Sequence, residues 1–255
     1  MDEHSPQHDE LGLATRAIEV ASLLAALGLL ILLAIRFAGA PRIFEWWTIP
    51  AIALGMIAAD VASGIVHWFA DTWGHETMPL LGRRLLRPFR VHHVNPDDFL
   101  RRNFIDTNGD VAMAVIPFLL PGLFLPLDNV TARAAFVFLA AMSLAALPTN
   151  QIHQWAHMPH PARWVKRLQD WRLILSRREH LRHHAAPYAT HYCIALGWCN
   201  GALSKIDFFR RAEGLVTSLT GLQPRADDTA FAAHIETLRA PPSPARDIPD
   251  EARAR

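Results

Sequence analysis

The sequence predicts an all-α protein: a multi-pass membrane helical bundle of about four transmembrane helices with a histidine-rich cytoplasmic cap. Three observations predict it. Hydrophobic residues make up 51% of 255 residues, mean hydropathy is positive, and the apolar residues gather into four long runs. Tryptophans flank the second run. Eight of the 14 histidines stand at the exits of runs two and four or in the segments that follow them. A net charge of +1 leaves no basic footprint for nucleic acid. The two cysteines, Cys193 and Cys199, have the spacing of neither a zinc knuckle nor a disulfide framework. Any metal is therefore expected on nitrogen and oxygen.

Taken in order, residues 1–14 read as a disordered tail, acidic and polar over Met1 to Glu10, without the basic region and cleavage site of a signal peptide. His4 and His8 are surface residues of that tail. Residues 15–222 form one membrane domain. Ala17 to Ala38 is long enough to cross a bilayer, which takes ~20 residues. Thr48 to Phe69 is the second span, with Trp46, Trp47 and Trp68 as interfacial belts. Asp60 lies inside it; an ionisable group there is either functional or an interhelical hydrogen-bonding partner. Asp60, Gly64, His67 and Asp71 share one helical face and emerge at one membrane surface.

Asp71 to Asn108 reads as a long polar connection carrying Arg83, Arg84, Arg87, Arg90, Arg101 and Arg102, and a length of this kind points to function. His92 and His93 are adjacent, so on a helix they point about 100° apart and can serve two ions, or one ion and an outer partner. Gly109 to Leu127 is the third span, with Pro117, Pro121 and Pro126 tolerated as neighbours satisfy the freed carbonyls. Ala132 to Leu147 begins the fourth, bends at Pro148 and continues with Asn150, His153, Gln154 and His157 on one face. His153 and His157 have the i, i+4 spacing used for two ligands to one metal, a satisfied structural pair being the alternative. Ser176 and Glu179 make a capping box, so a helix starts near Arg177 and sets His180, His183 and His184 on one face. Arg163 to Arg182 suits a membrane surface, and Tyr192 to Leu203, too short to span, suits an interfacial or re-entrant segment. Residues 223–255, rich in Ala, Arg, Asp and Pro, read as mostly disordered, with a short helix around Phe231 to Leu238.

Four spans put both termini on one side of the membrane, together with the connection between spans two and three. That side holds nearly all the basic residues; the opposite loops hold Arg42, Arg133 and the nearby Arg36. The positive-inside rule makes the basic side cytoplasmic. His67, His92, His93, His153, His157, His180, His183 and His184 all fall there. Eight imidazoles exceed the needs of one tetrahedral zinc and fit two ions. Nitrogen-rich sites suit iron, copper, nickel or zinc, and a lipid substrate needing oxidative attack on an inert C–H bond favours iron.

Longer motifs carry a resemblance. His67-Trp68-Phe69-Ala70-Asp71-Thr72-Trp73-Gly74, Arg87-Pro88-Phe89-Arg90 with His92-His93, Thr149-Asn150-Gln151-Ile152-His153-Gln154-Trp155 with His157, Leu168-Gln169-Asp170-Trp171, His180 with His183-His184, Tyr192-Cys193-Ile194 with Gly197-Trp198 and Asn200, and Pro224-Arg225-Ala226-Asp227-Asp228 follow in fixed order. Across roughly residues 48 to 230 the chain resembles the plasmanylethanolamine desaturase family of membrane lipid desaturases. The resemblance implies an oxidoreductase with two iron ions held by those eight histidines. It would use O2, with electrons from cytochrome b5 or a ferredoxin-type donor, to make the vinyl ether bond of a plasmalogen from an alkyl ether phospholipid. Asp71 becomes a ligand or a partner orienting an imidazole, with Asn150 and Asp106 as weaker partners of the same kind, and Arg90 a holder of the lipid phosphate. His75, His160, His191 and His234 stay outside the set. The host membrane would be a bacterial inner membrane or the endoplasmic reticulum. An acyl-lipid desaturase or hydroxylase with the same chemistry, a non-catalytic metal-binding membrane regulator and a metal transporter are the competing readings. The transporter predicts ligands within the bilayer, whereas here they stand at its edge.

Overall fold

The computed structural model describes residues 12–40, 42–75, 77–79, 81–185 and 187–225. Most of both expected tails, with His4, His8, His234 and the helix expected around Phe231 to Leu238, lies outside the described residues. Among those described, every regular element is helical. Three stretches are long and apolar enough to cross a membrane: α1 (Leu13–Gly39), α2 (Thr48–Thr72) and the continuous run Val130–His157. The last consists of α6 (Val130–Ala146) and α7 (Thr149–His157), divided at Pro148 as the sequence predicts. The third apolar run differs from expectation. Its helix, α5 (Phe104–Leu119), starts before Gly109 because Asn103 caps it, accepting from the amides of Ile105 and Asp106 at 3.0 and 3.1 Å. The helix tightens into a 3-10 turn at Leu120–Leu123, around Pro121. It falls short of the three long stretches, and runs beside α1 instead.

The bundle consists of two parallel helix pairs. Along α1 and α5, Arg16 meets Asp106, Glu19 meets Gly109 and Leu33 meets Gly122. Along α2 and α6, Gly55 is so close to the opposite backbone that a Cβ would stand 2.5 Å from the Phe138 carbonyl. On Gly109 a Cβ would stand 2.5 Å from the Glu19 Cβ. In lipid, helices gain little from the hydrophobic effect against one another, so close approach through small residues supplies the packing instead.

The expected long polar connection is itself helical: a π-turn at Gly82–Leu86, α3 (Arg87–Val94) and α4 (Pro96–Leu100). It continues through α8 (Arg163–Asp170), α9 (Arg177–His183), α10 (Asn200–Lys205) and α11 (Phe208–Thr220) into a cap over one end of the bundle. α11 was not foreseen. Its Phe209 packs with Trp68, Trp73 and Tyr192, and its Glu213 accepts from the Trp68 indole at 3.2 Å. Trp68 and Trp47 are therefore buried core residues, leaving only Trp46 of the expected belt exposed. Gln223–Arg225, expected as tail, return to α2, the Arg225 amide donating to the Thr72 carbonyl at 2.9 Å.

Asp60 is wholly buried, and its role is structural. Its carboxylate accepts from the amides of Leu196 and Gly197 at 2.8 Å and of Cys199 at 2.9 Å. One turn on, the Ser63 hydroxyl accepts from Ile194 and Ala195 at 3.0 and 3.3 Å. Asn200 pairs with both the amide and the carbonyl of Cys193. The irregular segment 193–199, buried over Cys193 to Leu196, thus has the amides of Cys193 to Gly197 and of Cys199 satisfied by side chains, the condition for non-helical chain at this depth. Asp60→Ala strands three buried donors and should destabilise the protein by about 3 kcal/mol or more, with Asp60→Asn intermediate. Melting of the detergent-solubilised protein measures this, and equal melting temperatures would refute the role.

Candidate metal centre

Four helices deliver the imidazoles. The last turns of α2 carry His67 and Asp71, α3 carries His92 and His93, α7 carries His153 and His157, and α9 carries His180 and His183, with His184 as its C-cap. α9 begins where the capping box predicts: the Ser176 hydroxyl accepts from the Glu179 amide at 3.3 Å. The eight rings come together, and His67, His180 and His183 are fully buried.

They form two groups. In one, nitrogen atoms of His92, His153, His157, His180 and His184 all lie within 4.8 Å of one another; in the other, those of His67, His92, His93 and His183 do. His92 belongs to both. Nε2 of His180 is 2.8 Å from Nε2 of His157 and 3.0 Å from that of His153, and the His153 and His157 Nε2 atoms are 3.3 Å apart. Three ring nitrogens that face one another cannot all be paired by hydrogen bonds. An ion with bonds of about 2.1 Å spaces neighbouring ligands by about 3.0–3.4 Å, according to coordination number. Nε2 of His67, His92 and His184 is buried without a hydrogen-bond partner. Such atoms cost about 1–3 kcal/mol each when left alone. A cation at each focus would satisfy them together, so the donor set fits metal.

Asp71 borders the second group. Its Oδ2 is 3.1 Å from Nε2 of His67, 3.4 Å from that of His183 and 3.5 Å from that of His93. The opposite edges of two rings are held by backbone. Nδ1–H of His67 donates to the Tyr192 carbonyl at 3.1 Å, and Nδ1–H of His183 donates to the Thr190 carbonyl at 2.8 Å. A carbonyl only accepts, so Nδ1 keeps the proton and Nε2 turns its lone pair inward.

Three expectations need correction. Asp106 pairs with Arg16 at 2.5 Å, at the foot of the α1–α5 pair, and is in neither nitrogen group. Arg90 is buried and donates to the carbonyls of Ala70, Trp73 and Gly74 at 3.3, 2.7 and 2.9 Å. It closes the C-terminus of α2 and ties α3 to it, so it does not face lipid phosphate. Asn150 makes no hydrogen bond to a member of the set among the described residues; it lines a gap of about 20 Å³ with His92 and His153, together with Phe89, Phe99 and Arg102. His75 and His191 stand outside both groups: His75 is 2.9 Å from the Thr77 hydroxyl and His191 3.7 Å from Glu179. Sequence reasoning missed Phe89, whose ring centroid is 5.0 Å from that of His67. Its position three and four residues before His92 and His93 put it on their face. It also missed the carbonyls of Thr190 and Tyr192, for which no side-chain signal exists.

Burial, reinforced by neighbouring imidazoles, holds His92, His180 and His184 well below the ordinary histidine range and His183 down to about 4. An unfolded chain takes up protons near 6.5, whereas the folded His183 does not until about 4. Stability is therefore whole above 6.5 and is lost as the pH falls through that window. Chelator-treated protein should show a falling melting temperature from pH 6.5 to 4.5, in excess of that of a His183→Gln variant.

Comparison with known proteins gives the family. The lipid desaturase domain family matches residues 56–227. A plasmanylethanolamine desaturase of Myxococcus xanthus is 42% identical over 215 residues, covering 84% of this chain and 76% of that protein. Plasmanylethanolamine desaturase 1 of Mus musculus is 41% identical, covering 75% and 74%. The chloroplastic fatty acid desaturase 4 of Arabidopsis thaliana is 35% identical, covering 69% of this chain and 54% of that protein. No solved structure matches. With the matched domain containing all eight imidazoles of the centre, the chain belongs to the lipid desaturase family of oxidoreductases.

Proposed function

We propose that the protein is an O2-dependent di-iron membrane desaturase that puts the 1'-alkenyl double bond into an alkyl ether phospholipid, turning plasmanylethanolamine into plasmalogen. The observation that carries this reading is the pair of buried nitrogen groups sharing His92, in a chain more than 40% identical to two proteins of that name. His153, His157, His180 and His184 would hold one iron and His67, His93 and His183 the other, with His92 between them and Asp71 on the second. When bound, iron with O2 and two electrons from cytochrome b5 or a ferredoxin-type carrier supplies the oxidising power to remove two hydrogens from a saturated chain.

The chain's own residues supply position and dryness. The Thr190 and Tyr192 carbonyls fix two rings before any ion arrives. Phe89 and Phe99 wall the centre, the Phe99 ring centroid standing 4.9 Å from that of His153, and exclude water that would divert the oxidant. Asp71, acceptor-only and buried, balances part of the charge of the second ion. The termini and the centre face the cytoplasm on the positive-inside argument.

The Arabidopsis likeness favours a second reading, an acyl-lipid desaturase using the same centre. Expression in a host that makes ether lipids but no plasmalogens separates the two: acid-labile vinyl ethers are expected, and new acyl double bonds in their place would favour the second reading. His184→Ala should abolish product and lower bound iron below the two equivalents expected of the wild type, measured on purified protein. Undiminished product in that variant would overturn the assigned centre.

A further inference from the structure

We infer that Arg102, Thr149 and Asn150 form the seat of the phospholipid substrate, with the alkyl chain lying in the cavity between α2, α5 and α6. The inference rests on the desaturase reading and adds to it where the lipid sits and which groups set the register of its chain against the histidines.

Two spaces meet at one threshold. The gap beside His92 and His153 shares Phe89 and Asn150 with an apolar cavity of about 200 Å³ reaching Ala114 and Phe118. A larger cavity of about 800 Å³, lined by α1, α2 and α6, shares no lining residue with that gap. Size alone would choose the larger one; connection to the imidazoles chooses the smaller.

Two polar groups along this path make no hydrogen bond among the described residues. The Arg102 guanidinium lines the gap and lies 5.9 Å over the Phe99 ring; Asp98, Asp106, Asp110 and Glu19 act on its charge from beyond ion-pair distance, and none of them hydrogen-bonds it. Thr149 is 6% exposed and lines the apolar cavity, and its hydroxyl is buried without a hydrogen-bond partner. A guanidinium presents paired N–H groups suited to a phosphodiester, and a buried hydroxyl donor suits an ether or ester oxygen.

Their order along the fold matches that of a glycerophospholipid. Arg102 precedes α5 at the histidine-bearing end of the bundle. Thr149 and Asn150 lie one turn before His153. From there Val111, Ala114 and Phe118 descend α5 at about 1.5 Å per residue. A phosphate on Arg102 and a glycerol oxygen at Thr149 and Asn150 place the first chain carbons at the Phe89 threshold, beside the gap that His92 and His153 line, and send the remainder down the cavity. Arg102 takes the phosphate role that Arg90, committed to the end of α2, cannot fill.

The test uses the purified full-length protein loaded with iron. An alkyl ether phosphatidylethanolamine carrying a diazirine at mid-chain, photolysed in place, should label Val111–Phe118 on α5, which lines only the smaller cavity; label on Leu30–Phe37 of α1, which lines only the larger, would overturn the assignment. Arg102→Gln should raise KM about tenfold or more with kcat little changed and bound iron intact, and Arg102→Lys should recover part of it. An unmoved KM in both variants would equally sink the phosphate role. Thr149→Val should lower kcat or shift the position of the new double bond, read by mass spectrometry. Wild-type protein that makes no vinyl ether would defeat the functional reading instead, while the photolabel still reports where the chain lies.

Discussion

A polar atom placed inside a lipid-embedded bundle has no water to fall back on, so its partner must come from the chain itself or from something the chain binds. This constraint organises the protein. Seven buried imidazoles, the half-buried His184 and a buried carboxylate gather at one end of the helices, with several ring nitrogens facing one another and others without a hydrogen-bond partner. Backbone carbonyls satisfy the outer edges of two rings. The inner nitrogens have only each other and Asp71, an arrangement that becomes favourable when cations stand at its foci.

The same constraint explains residues far from the rings. The Tyr192 carbonyl can orient His67 only if segment 193–199 lies against α2 in irregular conformation. That segment exposes amides that the helix must answer, and Asp60, Ser63 and Asn200 answer them. Asp60 thus acts on the centre through the backbone, two turns away. Arg90 does a comparable task on the other flank: by closing the end of α2 it holds α3, and with it His92 and His93, against the turn that bears His67 and Asp71. The glycine contacts at Gly55 and Gly109 bring the helix pairs close enough for rings from four helices to converge.

Charge and cavity then divide the labour. The proposed oxidation needs a dry centre, and Phe89 and Phe99 enclose it. It also needs a carbon chain delivered at fixed register, and the threshold at Phe89 and Asn150 is where the gap beside the histidines opens into apolar space. An anionic headgroup held by Arg102 on the histidine side and a chain threaded through that threshold would keep the carbons beside the ether oxygen near the rings, the selectivity that separates a vinyl ether from a mid-chain double bond.

Helix class, the three long apolar stretches, the bend at Pro148 and the start of α9 at Arg177 were legible in the residues, because they depend on local rules: run length, proline geometry and a capping box. So was the meeting of the rings within each helix, since i, i+3 and i+4 spacings put rings on common faces whatever the surroundings. Asp71 was legible for the same reason, one turn after His67. Roles that depend on what lies across the bundle were not. Arg90, Arg102 and Asp106 look alike as polar residues near one membrane surface, and only packing showed that the first caps a helix, the second stands at the gap and the third pairs with Arg16. The polar connection after α2 reads as loop because its charges obscure the short helices that the cap buries. The sequence by itself determined which residues could meet a metal, since periodicity sets faces. Only the tertiary structure decided how the rings divide into two groups sharing His92 and which cavity reaches them, since distances between helices are set by side chains remote in sequence.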